Sequence, residues 1–120
     1  MRAPGSPLIL VVDDDRGIRE TLGDVLRDEG YAVELARDGA EALAMLRERP
    51  APALILLDLS MPGMTGEELR RAQLDDARLA EIPVVVLSAD ERNPVPGVAG
   101  WLRKPVDLDA LLGAVAALKR

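Results

Sequence analysis

Carboxylates close two of the apolar runs in this 120-residue chain, and their placement decides what chemistry it could perform. Leu8 to Val12 stops at Asp13, Asp14 and Asp15, while Ala53 to Leu57 stops at Asp58. Ser88 follows a third run, and Lys104 a short fourth one that contains Trp101. Three or more carboxylates brought close repel one another unless a cation joins them. An oxygen-only donor set in a chain without histidine or cysteine favours a hard ion, magnesium above all. Such a site suits a phosphoryl group, because magnesium can bridge carboxylate and phosphoryl oxygens, a lysine ammonium can neutralise another oxygen, and a serine hydroxyl can donate to a third. Asp58 can then act as the nucleophile and form an aspartyl phosphate.

Those residues converge only if the runs are parallel strands with a common carboxyl edge, where ligands bind in open α/β sheets. The five apolar residues Ala53 to Leu57, between Pro52 and a loop with Pro62, Gly63 and Gly66, read as a strand buried on both faces. Leu8 to Val12 and Pro83 to Leu87 read the same way, Val33 and Leu35 mark a short strand near the sheet edge, and Trp101 to Arg103 a brief fifth. Between them, Ile18, Leu22, Val25 and Leu26 make a helical stripe stopped by Gly30. Asp38-Gly39 opens a helix through Ala42, Leu43, Met45 and Leu46, closed by Pro50, and Glu67 to Leu74 gives a third. Asp107 is placed to N-cap a last helix carrying Leu108, Leu111, Leu112 and Val115 on one face.

Strands alternating with helices predict a doubly wound five-stranded parallel α/β sheet with helices on both faces. One connection departs from the pattern. Asp90 to Gly100 has only eleven residues, with Pro94 and Pro96 in its middle, so the fourth helix should be shortened or missing and the sheet thinly covered there. Met1 to Pro7, with two prolines, a glycine and a serine, read as a flexible lead-in, which leaves residues 8–120 as a single domain.

Composition narrows the function further. A net charge of −6 opposes direct binding to nucleic acid or anionic membranes, which depends on neutralising phosphate. The first residues are too short in apolar length for a signal peptide or membrane insertion, so a cytoplasmic protein is expected. The absence of histidine removes imidazole catalysis from the chain itself, and any phosphohistidine must come from another molecule.

Taken in order, the acids after LILVV, the segment DLSMPGMTG, the segment VLSA at Val86 to Ala89 and the pair Lys104-Pro105 resemble the response-regulator receiver domain of two-component signalling. The resemblance covers almost the whole chain. It implies a flavodoxin-like, CheY-like sheet in the order 2-1-3-4-5, with Asp58 as the phosphoacceptor. It also implies that Asp13, Asp14, Asp58 and the backbone carbonyl of Ser60 hold Mg2+, that Ser88 follows the phosphoryl group, that Lys104 pairs with it, and that Trp101 takes the aromatic switch position beside Ser88. The Lys104-Pro105 peptide is expected to be cis. The implied partners are a sensor histidine kinase or histidine phosphotransfer protein and a downstream protein effector. The implied chemistry is no enzymatic turnover of an external substrate, only the domain's own phosphorylation and dephosphorylation.

Simpler readings stand beside these. Acids before a helix are often caps and favourable dipole charges, which is the reading for Asp15. Ser88 alone would be a helix cap or a solvated hydroxyl, Lys104 a surface charge, and Trp101 a core aromatic. Two other functions use the same fold: an unphosphorylated pseudo-receiver interaction module, and a magnesium-dependent phosphohydrolase of haloacid-dehalogenase type. The latter needs an acid two residues after the nucleophile, where this chain has Ser60. The shortened crossover also weakens the case for dimerisation through the fourth-helix face.

Overall fold

The computed structural model of the chain describes residues 7–59, 61, 63–88 and 97–118. Its elements in order are β1 (Leu8–Val12), α1 (Arg16–Asp28), β2 (Ala32–Ala36), α2 (Gly39–Glu48), β3 (Leu54–Asp58), α3 (Gly66–Leu74), β4 (Val84–Ser88), β5 (Gly100–Arg103) and α4 (Leu108–Leu118). The strands pair in parallel in the order β2-β1-β3-β4-β5, the predicted topology. Among the described residues there are four helices, and most of the crossover expected to be shortened, Asp90 to Gly100, lies outside the described residues, which resume at Gly97.

Alternation along each central strand sorts the core into two layers. Leu10, Val12, Ile55, Leu57, Val84 and Val86 face α2 and α3, packing with Ala42, Leu43, Leu46 and Leu69. Ile9, Val11, Leu54, Leu56, Val85 and Leu87 face α1 and α4, against Leu22, Leu26, Leu111 and Val115. Both β3 and β4 are buried at every residue, which explains their unbroken apolar runs. Each fully buried Leu, Ile or Val side chain contributes about 1.5–3 kcal/mol, so the sheet centre is the most strongly held part of the molecule.

The predicted boundaries move by a residue or two. Hydrogen bonding carries β3 through Leu54–Asp58 rather than Ala53 to Leu57, so the acid is itself the last strand residue. Likewise β4 runs from Val84 to Ser88, and Pro83, which has no N–H to donate, contributes only its carbonyl, to the Ile55 N–H at 3.0 Å. Helix α3 starts at Gly66, not Glu67, because Thr65 caps it. Pro7 belongs to the folded edge rather than to a lead-in, since its carbonyl accepts the Ala32 N–H at 2.9 Å.

Two buried polar side chains on α3 are held by hydrogen bonds. On α3, Gln73 is 1% exposed and its Nε2 donates to the carbonyls of Leu79 and Ile82, both at 2.9 Å, fixing the turn that leads into β4. The Arg70 guanidinium beside it donates to Gln73 Oε1 at 2.7 Å and to the Gly97 carbonyl at 3.0 Å. Burial holds this guanidinium below its ordinary pKa, yet the chain retains it, with those carbonyl and amide acceptors in place of water. Together the two side chains tie α3 to the entry of β4 and to the approach of β5.

Candidate functional site at the carboxyl edge of the sheet

Asp13 follows β1 directly and is fully buried. Three of its polar groups are anchored by hydrogen bonds: its N–H donates to the Ala36 carbonyl at 3.2 Å, its Oδ1 accepts from the Asp15 N–H at 2.9 Å, and its carbonyl accepts from Arg19 Nη1 at 2.7 Å. Asp15 is the α1 N-cap, with its Oδ1 accepting from the Ile18 N–H at 3.0 Å, so it turns away from the other two acids as expected. Asp58, 2% exposed, ends the adjacent strand β3, while Asp14 is exposed at the rim.

Carboxylate oxygens of Asp13, Asp14 and Asp58 all lie within 4.8 Å of one another. Lys104, just past β5, brings its ammonium 3.1 Å from Asp13 Oδ2 and 3.3 Å from Asp58 Oδ1. Burial alone would lower the pKa of this ammonium, but the charges and hydrogen bonds of Asp13 and Asp58 outweigh burial and hold it above its ordinary value. One positive charge faces three negative ones, and two of those are out of water. Three carboxylates with no nitrogen or sulfur donor fit a hard divalent cation, which would complete the compensation.

The connections around the site fix its shape. The Lys104-Pro105 peptide is cis, as expected, and the Lys104 N–H donates to the Ser88 carbonyl at 3.0 Å. Ser88 is buried at the end of β4, one residue beyond Leu87, which pairs with Asp58 across the sheet. On the other side of Asp58 the chain turns sharply into α3, and a Cβ on Gly66 would sit 2.6 Å from the Asp58 carbonyl oxygen and 2.7 Å from Leu59 Cα. Only glycine lets the helix start that close to the strand end. Ser60, expected to lend its carbonyl, lies outside the described residues.

Trp101 is 38% exposed and is therefore not a core aromatic. It pairs with Val86, on the sheet face that carries α2 and α3, while Leu102 packs into the opposite layer. Sequence reasoning missed Arg19, Arg70 and Gln73, each of which looks like an ordinary polar residue on a helix. Thr65 and Glu68 carried a usable signal, the T-x-x-E spacing of a capping box, and they form one.

The comparisons agree with this geometry. The family model for the response regulator receiver domain matches residues 9–116. The response regulator MprA of Mycobacterium leprae (strain TN) is 40% identical over 120 aligned residues, which cover 93% of this chain and 50% of that protein. MprA of Mycobacterium avium (strain 104) is 41% identical over the same shares. The chain thus spans about half the length of these relatives. Among solved structures, Vibrio cholerae chemotaxis protein CheY4 superposes with a TM-score of 0.85 at 32% identity, covering 95% of this chain and 99% of that one. The signal receiver domain of a signal transduction histidine kinase from Syntrophus aciditrophicus gives 0.85 at 33%, covering 94% and 89%.

Proposed function

The chain belongs to the response regulator receiver domain family, and from that membership and the acid site we infer that Asp58 is its phosphoacceptor. One observation carries the reading: the Lys104 ammonium joins Asp13 and Asp58 in a buried cluster at the carboxyl edge of a parallel sheet. That arrangement binds a doubly charged anion badly on its own and well with a cation present. Asp13, Asp14 and Asp58, with the Ser60 carbonyl, are the residues to hold Mg2+, which would supply charge compensation between carboxylates and phosphoryl oxygens.

In the transfer, a carboxylate oxygen of Asp58 forms a bond to the phosphorus of a partner's phosphohistidine as the P–N bond breaks, and the departing imidazole keeps the electron pair and takes a proton from water. Lys104 then neutralises a phosphoryl oxygen and the Ser88 hydroxyl donates to another. Hydrolysis reverses the charge change when water attacks the same phosphorus. The chain therefore catalyses only its own modification and its removal. The phosphoryl group carries about −1.5 to −2 charges where the Asp58 carboxylate carried one, and the rearrangement of Ser88 and Lys104 around it, with Trp101, is the signal read by a downstream protein. A sensor histidine kinase or histidine phosphotransfer protein is the donor, in the cytoplasm. Among the described residues no helix is long and apolar enough to cross a membrane, which is compatible with that location.

Incubation with magnesium and acetyl phosphate, followed by intact mass measurement, tests the assignment. A single phosphoryl adduct is expected on the wild type and none on Asp58→Asn. An unmodified wild type, or an adduct that survives the substitution, would overturn it.

A further inference from the structure

We propose that Arg19 is a positioning residue of the acid site, holding the Asp13 peptide so that the Asp13 carboxylate stays turned toward Asp58 and Lys104. The inference rests on the reading of that cluster as a cation-dependent phosphoacceptor. Arg19 lies one turn into α1, where its own N–H donates to the Asp15 carbonyl at 2.9 Å. Its side chain reaches back over the loop, and Nη1 donates to the Asp13 carbonyl at 2.7 Å. With the Asp15 N–H on Asp13 Oδ1 at 2.9 Å, the residue is gripped at its peptide and at one carboxylate oxygen, and Oδ2 is left to face Lys104 at 3.1 Å. Without the guanidinium, that carbonyl loses its donor, and the Asp13 N–H on the Ala36 carbonyl and the Asp15 N–H on Oδ1 are left to hold the residue alone, so the carboxylate is aimed less firmly.

Two effects of removing Arg19 have opposite signs, which makes the proposal decidable. Loss of a positive charge beside the acids, acting alone, would tighten cation binding. Loss of the hydrogen bond that aims Asp13 would weaken it, by roughly tenfold or more for a side chain that orients a ligand. Arg16 provides the control: it sits in the same turn but pairs with Glu20 at 2.7 Å on the exposed face and does not touch Asp13.

The experiment is calorimetric titration of the domain with magnesium chloride, without any phosphoryl donor, for wild type, Arg19→Gln, Arg19→Lys and Arg16→Gln, with circular dichroism to establish folding. Arg19→Gln is expected to bind at least about tenfold more weakly than wild type, and Arg16→Gln as well or slightly better. Arg19→Lys keeps the charge but ends one bond short of the Nη1 position, and it too should bind more weakly; if the Gln variant does not fold, the Lys variant decides. Binding by the Arg19 variants equal to or tighter than wild type would overturn the positioning role while leaving the site reading intact. Failure of wild type to bind magnesium would remove both, and that pattern differs from the first.

Discussion

Lys104 carries a single charge opposite two buried carboxylates, and its side chain is itself only 21% exposed. Replacing it with Met would leave Asp13 and Asp58 facing each other without compensation. The expected cost is about 2–3 kcal/mol, below the range for a fully enclosed pair because part of the side chain is screened by water. Magnesium should return much of that loss, since a ligand at a hundred times its dissociation constant contributes about 2.7 kcal/mol. Chemical denaturation of Lys104→Met and wild type, with and without magnesium chloride, measures both quantities; a variant as stable as wild type in the absence of cation would contradict the electrostatic account. The acids and Lys104 were legible in the sequence because each ends an apolar run, and parallel strands bring their ends to one edge. Arg19 was not, because a lone arginine on an amphipathic helix has the same spacing whether it faces water or turns back onto a peptide carbonyl.

The element that starts beside the nucleophile is α3, and its first turn is closed reciprocally: Thr65 Oγ1 accepts the Glu68 N–H at 3.2 Å and Glu68 Oε1 accepts the Thr65 N–H at 3.0 Å. The backbone hydrogen bond from Thr65 holds the Glu68 carboxyl below its ordinary value of 4.5. A carboxyl whose pKa is depressed on folding stabilises the fold above its unfolded pKa, and that contribution fades as pH falls through the lower folded value. Glu68→Gln can still accept the hydrogen bond but has no charge to titrate. Wild type should therefore melt above the variant near neutral pH, with the gap closing as the pH drops below 4.5. A gap that persists in acid would show that shape, not ionisation, distinguishes the two. Element types followed from apolar period and breakers, whereas the ends did not: β3 and β4 each extend one residue further because pairing across the sheet, not hydropathy, decides where a strand stops.

At the scale of the molecule, two aliphatic layers sandwich a sheet whose chemistry is confined to one edge. That plan was readable from strands alternating with helices and a core rich in Leu, Val and Ile. The buried pair Arg70 and Gln73 was not, since charge and amide groups are counted as surface until their acceptors are known. Nor could alternation place Trp101, because a four-residue edge strand turns one side, with Leu102, to the layer under α4, and spacing alone does not say what covers the other. Its exposure has a practical result. With no phenylalanine and one tyrosine, Trp101 is the sole indole, and it is already wet in the native state. The interior holds no indole, only the phenol of Tyr31, so unfolding should shift the tryptophan emission maximum little, and an instrument watching that maximum would register a quiet transition where far-ultraviolet dichroism records the collapse of the whole backbone.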